Sequence, residues 1–416
     1  NTLPIAAAGT VEEWREQVVR AAAQSLIPGA PSAEEITARL AGPQAQTWLP
    51  ELQTQAANVY RPAGTEVDCG GALYAKGAGL RLQNFNAGGV ASTTGDGYGG
   101  GVCIVEPTAA GVYIVKSAVN QSVGSLSGFG VGGAMFIQGG DDAGSVVLED
   151  AGFYNSIAAP HSAGWGGGLA VVNTPHFKLM GSEVTNCTIA TNLASGSGDG
   201  LGGGIFLQGV AAAEVSKCRF LDNYASGGSI PNPDKSPWGT AGIGGGIYVE
   251  DSPGFNLNGN TFTFNVAQSA PNMFNKGSGG GGAFVVNSSQ AVISSNTFDR
   301  NTAGFSGTGF GGGLAVIKGN GYPDDVTGIT VYSNTFSQNW GTVTNRIGAA
   351  GGGLYAYGID ESEVTSNTFT ANVANAEGDG LMQMAPFPFG GGLGLQRLYR
   401  VRVANNRFED NVATIG

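Results

Sequence analysis

Two histidines, His161 in "HSAGWGGG" and His176 in "NTPHF", are the only imidazoles in the chain. Paired with an aspartate or serine, either could move a proton. Two surface histidines with no chemical role fit the same sequence and are the preferred reading. Glycoside hydrolysis needs two carboxylates, one as acid and one as base or nucleophile. Asp141–Asp142 in "GGDDAG" and Asp324–Asp325 in "YPDDVTG" are the paired carboxylates in Gly- or Pro-containing insertions. Neighbouring residues on such turns splay apart, so a solvated turn is expected at both. A polysaccharide lyase needs a basic group beside the uronate, but Lys178, Lys217 and Lys318 share no offset in the repeat described below. No catalytic residue is assigned. "GDG" recurs at Asp96, Asp199 and Asp379. Aspartates in stacked loops could hold Ca²⁺, and ordinary turn chemistry explains the pattern equally well. No other cofactor or metal is indicated. Cys69, Cys103, Cys187 and Cys218 form no CxxC, which argues against a zinc or redox motif.

The elements around these residues repeat. Glycine clusters begin at Gly70, Gly99, Gly132, Gly166, Gly202, Gly244, Gly280, Gly311, Gly351 and Gly390. Downstream comes F-x-x-N, with Phe220, Phe262, Phe298, Phe336, Phe369 and Phe408 followed by Asn223, Asn265, Asn301, Asn339, Asn372 and Asn411. Ile189 with Asn192 is a variant. Phe336 follows its glycines at a longer interval because "GNGYPDD" is inserted; the other five phenylalanines keep one interval. A fixed interval plus variable filler reads as one supersecondary unit per repeat with loops between. Inside the fixed part the hydrophobic period is two, as in Leu354, Ala356, Val364, Ser366 and Thr368. Units this short suit one coil of a parallel β-helix, with successive coils about 4.8 Å apart.

That geometry assigns structural roles. The phenylalanines stack in the interior. Asn260, Asn296, Asn334, Asn367 and Asn406, each two residues before a Phe, pass amide hydrogen bonds from coil to coil at a bend. The second Asn, in F-x-x-N, is expected to bond local backbone in the following turn. Cys187 and Cys218 occupy the inner ladder position in successive coils, where Cα atoms lie within disulfide range. A bridge and two small side chains filling slots both fit. Cys69 and Cys103 are one repeat apart at unmatched offsets, which makes them the weaker pair.

Together, GG[AG][ILV] and F-x-x-N resemble the repeat of polymorphic outer-membrane proteins and related autotransporter passenger domains. They are also similar to secreted bacterial right-handed β-helix proteins with "GGG…NTFSGN" coils. The resemblance runs from about Gly70 to the C-terminus and implies a right-handed, single-stranded parallel β-helix of about ten coils. The membrane barrel of the autotransporters has no counterpart here. β-Helices host adhesins, lyases, hydrolases and tailspikes, so the fold alone does not choose among them.

Residues 1–65 differ. Thr10 with Glu13 and Ser32 with Glu35 form capping boxes, and Val11, Trp14 and Val18 recur at helical spacing. A short α-helical N-terminal cap over 1–65 is expected, followed by a β-helix domain over 66–416. The formal net charge of −12 argues against nucleic acid as a partner. No run of 18 apolar residues is present, so no helical membrane span is expected. Asn1 in place of Met, and the absence of a signal-like segment, suggest a trimmed chain. An even cysteine count with wide spacing suits an oxidising compartment.

The loops after F-x-x-N should leave every coil at one corner. Trp165, Trp238, Phe274, Trp340, Met382, Phe387 and Phe389 would then form an apolar loop edge. Such a surface marks contacts with protein, and its rings could also stack on glycan. Arg397, Arg400, Arg402 and Arg407 at one end, against acidic residues such as Glu12, Glu13 and Glu16 at the other, favour head-to-tail association. The resulting expectation is a non-catalytic extracellular structural or adhesive module, self-associating into a filament or layer or binding a cell-surface protein. A carbohydrate-active lyase, hydrolase or tailspike is the alternative.

Overall fold

The structure, a computed structural model, describes residues 68–140, 143–182, 187–196, 198–227, 242–268, 278–306, 309–319, 326–344, 349–375 and 390–414. The two helices expected within 1–65, and the boundary after them, lie outside these residues. Everything described is strand, turn or bend, wound into a right-handed parallel β-helix.

One coil shows the plan. Its strands are Ile247–Glu250, Asn256–Asn258, Thr261–Thr263, Val266–Gln268 and Ser278–Gly279. Each pairs in parallel with the same strand of the coils before and after it. The first four positions build 10-stranded sheets and the fifth a 9-stranded sheet. We number these sheets one to five in that order. An extra two-stranded sheet joins Val326–Thr327 to Ile359–Asp360.

Strand alternation supplies the core. Ile247, Val249, Leu257, Phe262 and Ala267 are fully buried and point inward. One column of rings fills the middle of the third sheet. Phe220 stacks on Phe262 at 4.4 Å, Phe262 on Phe298 at 4.8 Å and Phe298 on Phe336 at 4.9 Å. Phe336 on Phe369 and Phe369 on Phe408 are also at 4.9 Å. Register fixes this, since Phe262, Phe298, Phe336, Phe369 and Phe408 pair directly across adjacent strands. Burying each of the five fully enclosed rings, Phe220 to Phe369, contributes about 2–3 kcal/mol.

The coil turns sharply either side of the third sheet, and a single residue in the left-handed region makes each bend. Ser295 and Arg300 do this around Thr297–Asp299, at φ of 55° and 54°, and Ser333 and Gln338 do it one coil later. Left-handed φ in non-glycine residues is uncommon. Each bend takes the backbone out of the sheet ladder, so the next residue needs another partner. That residue is an asparagine. The Asn296 N–H and Nδ2 both donate to Asn334 Oδ1, at 2.9 and 3.0 Å, and Nδ2 also donates to the Leu257 carbonyl at 2.8 Å. The same pattern joins Asn260 to Asn296, Asn334 to Asn367 and Asn367 to Asn406.

The second asparagine departs from expectation. It does not bond local backbone but forms its own ladder, Asn192–Asn223–Asn265–Asn301–Asn339–Asn372–Asn411. It follows a left-handed residue just as the first asparagine does, so the same unpaired backbone must be satisfied in the same way. Ser122 and Ser156 continue this column towards the N-terminus.

The glycine triplet makes the turn from the fifth sheet into the first. Gly280 has a φ of +59°, and a Cβ there would collide with the Ala283 carbonyl. At Gly281 a Cβ would collide with the Gly312 carbonyl of the next coil and come within 2.5 Å of Thr302 backbone. At Gly282 it would sit 2.6 Å from the Gly313 oxygen and 2.8 Å from Phe298 Cδ1. The three glycines thus serve a turn, a backbone contact and a ring contact in succession.

Candidate functional surface

Outside the solenoid, the glycine turn leaves a re-entrant corner between the fifth and first sheets. Two sets of side chains meet there. The second residues of five consecutive fifth-sheet strands supply Tyr98, Val131, Trp165, Leu201 and Ile243. The second residues of five consecutive first-sheet strands supply Phe136, Ala170, Phe206, Tyr248 and Phe284. Trp165 stacks on Phe206 at 5.0 Å, Phe206 on Tyr248 at 5.5 Å and Tyr248 on Phe284 at 5.7 Å. Phe129 meets Trp165 edge-on at 4.7 Å. The first-sheet rings are buried, whereas Tyr98, Trp165, Leu201 and Ile243 stay half-exposed. This exterior seam forms a second apolar cluster, separate from the interior core.

Polar groups rim the seam two residues further along the first sheet. Gln208 Nε2 donates to Glu250 Oε2 at 3.1 Å, and the Tyr248 hydroxyl also bonds Glu250. Partial burial, together with the Asp251 charge, holds the Glu250 carboxyl above the usual range. The Tyr355 hydroxyl donates to Gln396 Oε1 at 2.9 Å, and burial pushes it up to about 12. Arg397 lies over the Tyr357 ring at 5.5 Å. Half-buried rings edged with amides and one carboxylate suit contact and hydrogen bonding.

The residues singled out in sequence fall in several places. Trp165 and Trp340 lie on strands, not loops, and in different sheets. Trp165 is in the fifth sheet, while Trp340 opens Trp340–Thr344 of the fourth and pairs with Thr302 and Val373. Trp238, Phe274, Met382, Phe387 and Phe389 lie outside the described residues, as do Asp141, Asp142, Asp324, Asp325 and Asp379. His161 and His176 are both exposed and sit at different corners, one before the fifth sheet and one before the second. Lys178 Nζ pairs with Glu214 Oε2 at 3.3 Å on the outer face of the second sheet. Asp96 Oδ1 accepts the Phe129 N–H at 2.8 Å, a turn role. Among the described residues, no group of three His, Cys, Asp or Glu side chains is placed to hold a metal, and no helix is long and apolar enough to cross a membrane.

Cys187 and Cys218 form a disulfide with Cα atoms 4.7 Å apart, in direct register. Cys69 and Cys103 are also joined, at 5.6 Å, although they were the weaker pair by offset. Cys69 sits in the fifth sheet and Cys103 in the outward row of the first. They meet across the re-entrant corner, which offset counting along one column does not see. Sequence reading also missed the seam itself. Its signal was an aromatic or aliphatic residue immediately before the glycines and another two residues past the last glycine, as in "GWGGGLA" and "GLGGGIF".

Comparison with curated proteins gives no match. Residues 130–336, spanning the coils that carry most of the seam, are similar to the family model described as the right handed beta helix region.

Proposed function

We propose that this chain is a non-catalytic extracellular structural or adhesive module that associates with its own copies, or with a cell-surface protein, along one long side. The exterior seam carries this reading. Half-exposed apolar residues recur along it at Tyr98, Trp165, Leu201 and Ile243, so a partner meets an extended strip instead of one pocket. Two disulfides support an oxidising compartment. A carbohydrate-active reading would need acid and base groups facing one sugar ring across a cleft. Glu250 at the rim of the seam is the group on which such a reading would rest.

The test is sedimentation velocity with negative-stain imaging of the oxidised protein over a wide concentration range. Self-association along the side is expected, and Leu201→Glu with Ile243→Glu should abolish it while leaving the far-ultraviolet spectrum intact. A strict monomer at every concentration would refute self-association. Cleavage of a uronate or neutral glycan that is lost on Glu250→Gln would replace this reading with the enzymatic one.

A further inference from the structure

The three interior columns change character in successive coils, within one short stretch of the solenoid. On the C-terminal side, the inner bend column is Asn260, Asn296, Asn334, Asn367 and Asn406, each bonded to the next. On the N-terminal side the equivalent slots hold Ala151 and Ser117. Ser117 supplies one hydroxyl contact to the preceding coil, from the Phe85 N–H at 3.1 Å. The ring column runs unbroken from Phe220 to Phe408. Towards the N-terminus its register continues as Ile189, Phe153 and Val119. In the second ladder asparagine gives way to serine before Asn192.

The Cys187–Cys218 disulfide sits on this boundary and occupies two consecutive slots of the inner column. The Cys218 N–H donates to Asn260 Oδ1 at 2.9 Å, so it is the last backbone N–H the inner asparagine ladder serves. Both cysteines are almost completely buried. The disulfide therefore replaces two amide rungs with one covalent link, at the boundary between a segment whose inner column is an asparagine ladder and one whose inner column holds Ala151 and Ser117. In a solenoid, each coil's stability comes from its own contacts plus those with its nearest neighbours, so unravelling spreads coil by coil.

We propose that this disulfide is a redox-dependent clasp that stops opening of the N-terminal coils from spreading into the laddered coils. Reduction breaks the S–S bond and leaves two thiols, with two electrons and two protons supplied by a dithiol that is itself oxidised to a disulfide. Because the sulfurs are buried, a reductant reaches them only when these coils open. Oxidised protein thus holds the boundary shut, while in a reducing medium each opening risks losing the clasp. The proposal stands on interior geometry and does not depend on the exterior seam.

Hydrogen exchange read by mass spectrometry on the oxidised protein tests it. With Cys187→Ala and Cys218→Ala, exchange in 143–226 should rise on the order of a hundredfold, the scale of losing one such cross-link. Exchange in 242–268, the first coil of the inner asparagine ladder, should rise with it as opening spreads past the boundary, and exchange in 349–375, further away, should change less. With Cys187→Asn and Cys218→Asn, the ladder is extended by two rungs, and exchange in 187–226 should return to within about tenfold of the parent. Cys69→Ala with Cys103→Ala should affect only the first two coils. Unchanged exchange in 143–226 or in 242–268 of the alanine pair, or an equal rise in every coil, would overturn the proposal. So would failure of both cysteine-free pairs, and of the parent refolded under reductant, to fold at all, since the disulfide would then serve the entire solenoid.

Discussion

Phe298→Ala is the sharpest probe of the interior. Phe298 is fully buried, has a ring on either side at 4.8 and 4.9 Å, and lies against Gly282. Truncating a buried Phe costs about 3–5 kcal/mol in transfer and cavity free energy. Here the cavity is walled by parallel rings and by backbone in sheet register, neither of which can move in to fill it, so the upper part of that range is expected. Phe408 is the matched control. It has the same residue type and motif position, but one ring partner at 4.9 Å and 51 % exposure. Phe408→Ala should therefore cost about 1 kcal/mol, roughly one stacking contact plus partial burial. Guanidinium unfolding followed by far-ultraviolet circular dichroism compares the midpoints, and exchange mass spectrometry places the loss. Phe298→Ala should raise exchange in 278–306 and in the coils on both sides. Equal costs for the two variants would refute the claim that a continuous ring column holds the coils together.

Further predictions concern polar groups. Asn334→Leu removes the acceptor for the Asn296 N–H and Nδ2 and the donor to the Ile293 carbonyl, leaving buried groups unpaired. A loss of about 2–4 kcal/mol is expected in the same denaturation assay, and a loss under 1 kcal/mol would show the ladder to be dispensable. Asp222, buried at a left-handed bend, has its carboxyl pushed up from 3.8 to about 7 by desolvation. The native state therefore holds this proton more tightly than the unfolded chain does. Its contribution to stability is complete below the unfolded value and declines as pH rises towards 7, by up to about 4 kcal/mol. Asp222→Asn should flatten that part of the stability–pH profile and be the more stable protein at alkaline pH. Parallel profiles for parent and variant would rule out this carboxyl as the source.

How much could be read in advance depended on whether a signal lay along one column. The Phe and inner Asn columns were legible because the interval from glycine to Phe is nearly constant, so equal offsets meant stacked positions. The second Asn was misassigned because its partner is 31–42 residues away, whereas a turn suggests a local one. The Cys69–Cys103 bridge and the aromatic seam both cross from one sheet to another around a corner, and counting offsets along a single column does not register that. Bends at Ser295, Arg300, Ser333 and Gln338 were invisible, since left-handed backbone is ordinarily read from glycine or asparagine. Trp165 and Trp340 looked like loop residues because bulky groups near polar filler suggest a loop tip; their strands are short enough to be mistaken for it.

The paired asparagine columns also bear on how such a chain changes over generations. Each rung asks only that the next turn place an amide at the same angular position, and every turn between 242 and 414 meets that demand identically. Alignment around the axis is therefore tightly specified, while the identity of the neighbouring turn is not. Whole turns can be duplicated, lost or exchanged without creating a mismatch in these two columns at the new junction. Length becomes an inheritable variable independent of cross-section, and the exterior strip lengthens or shortens with it.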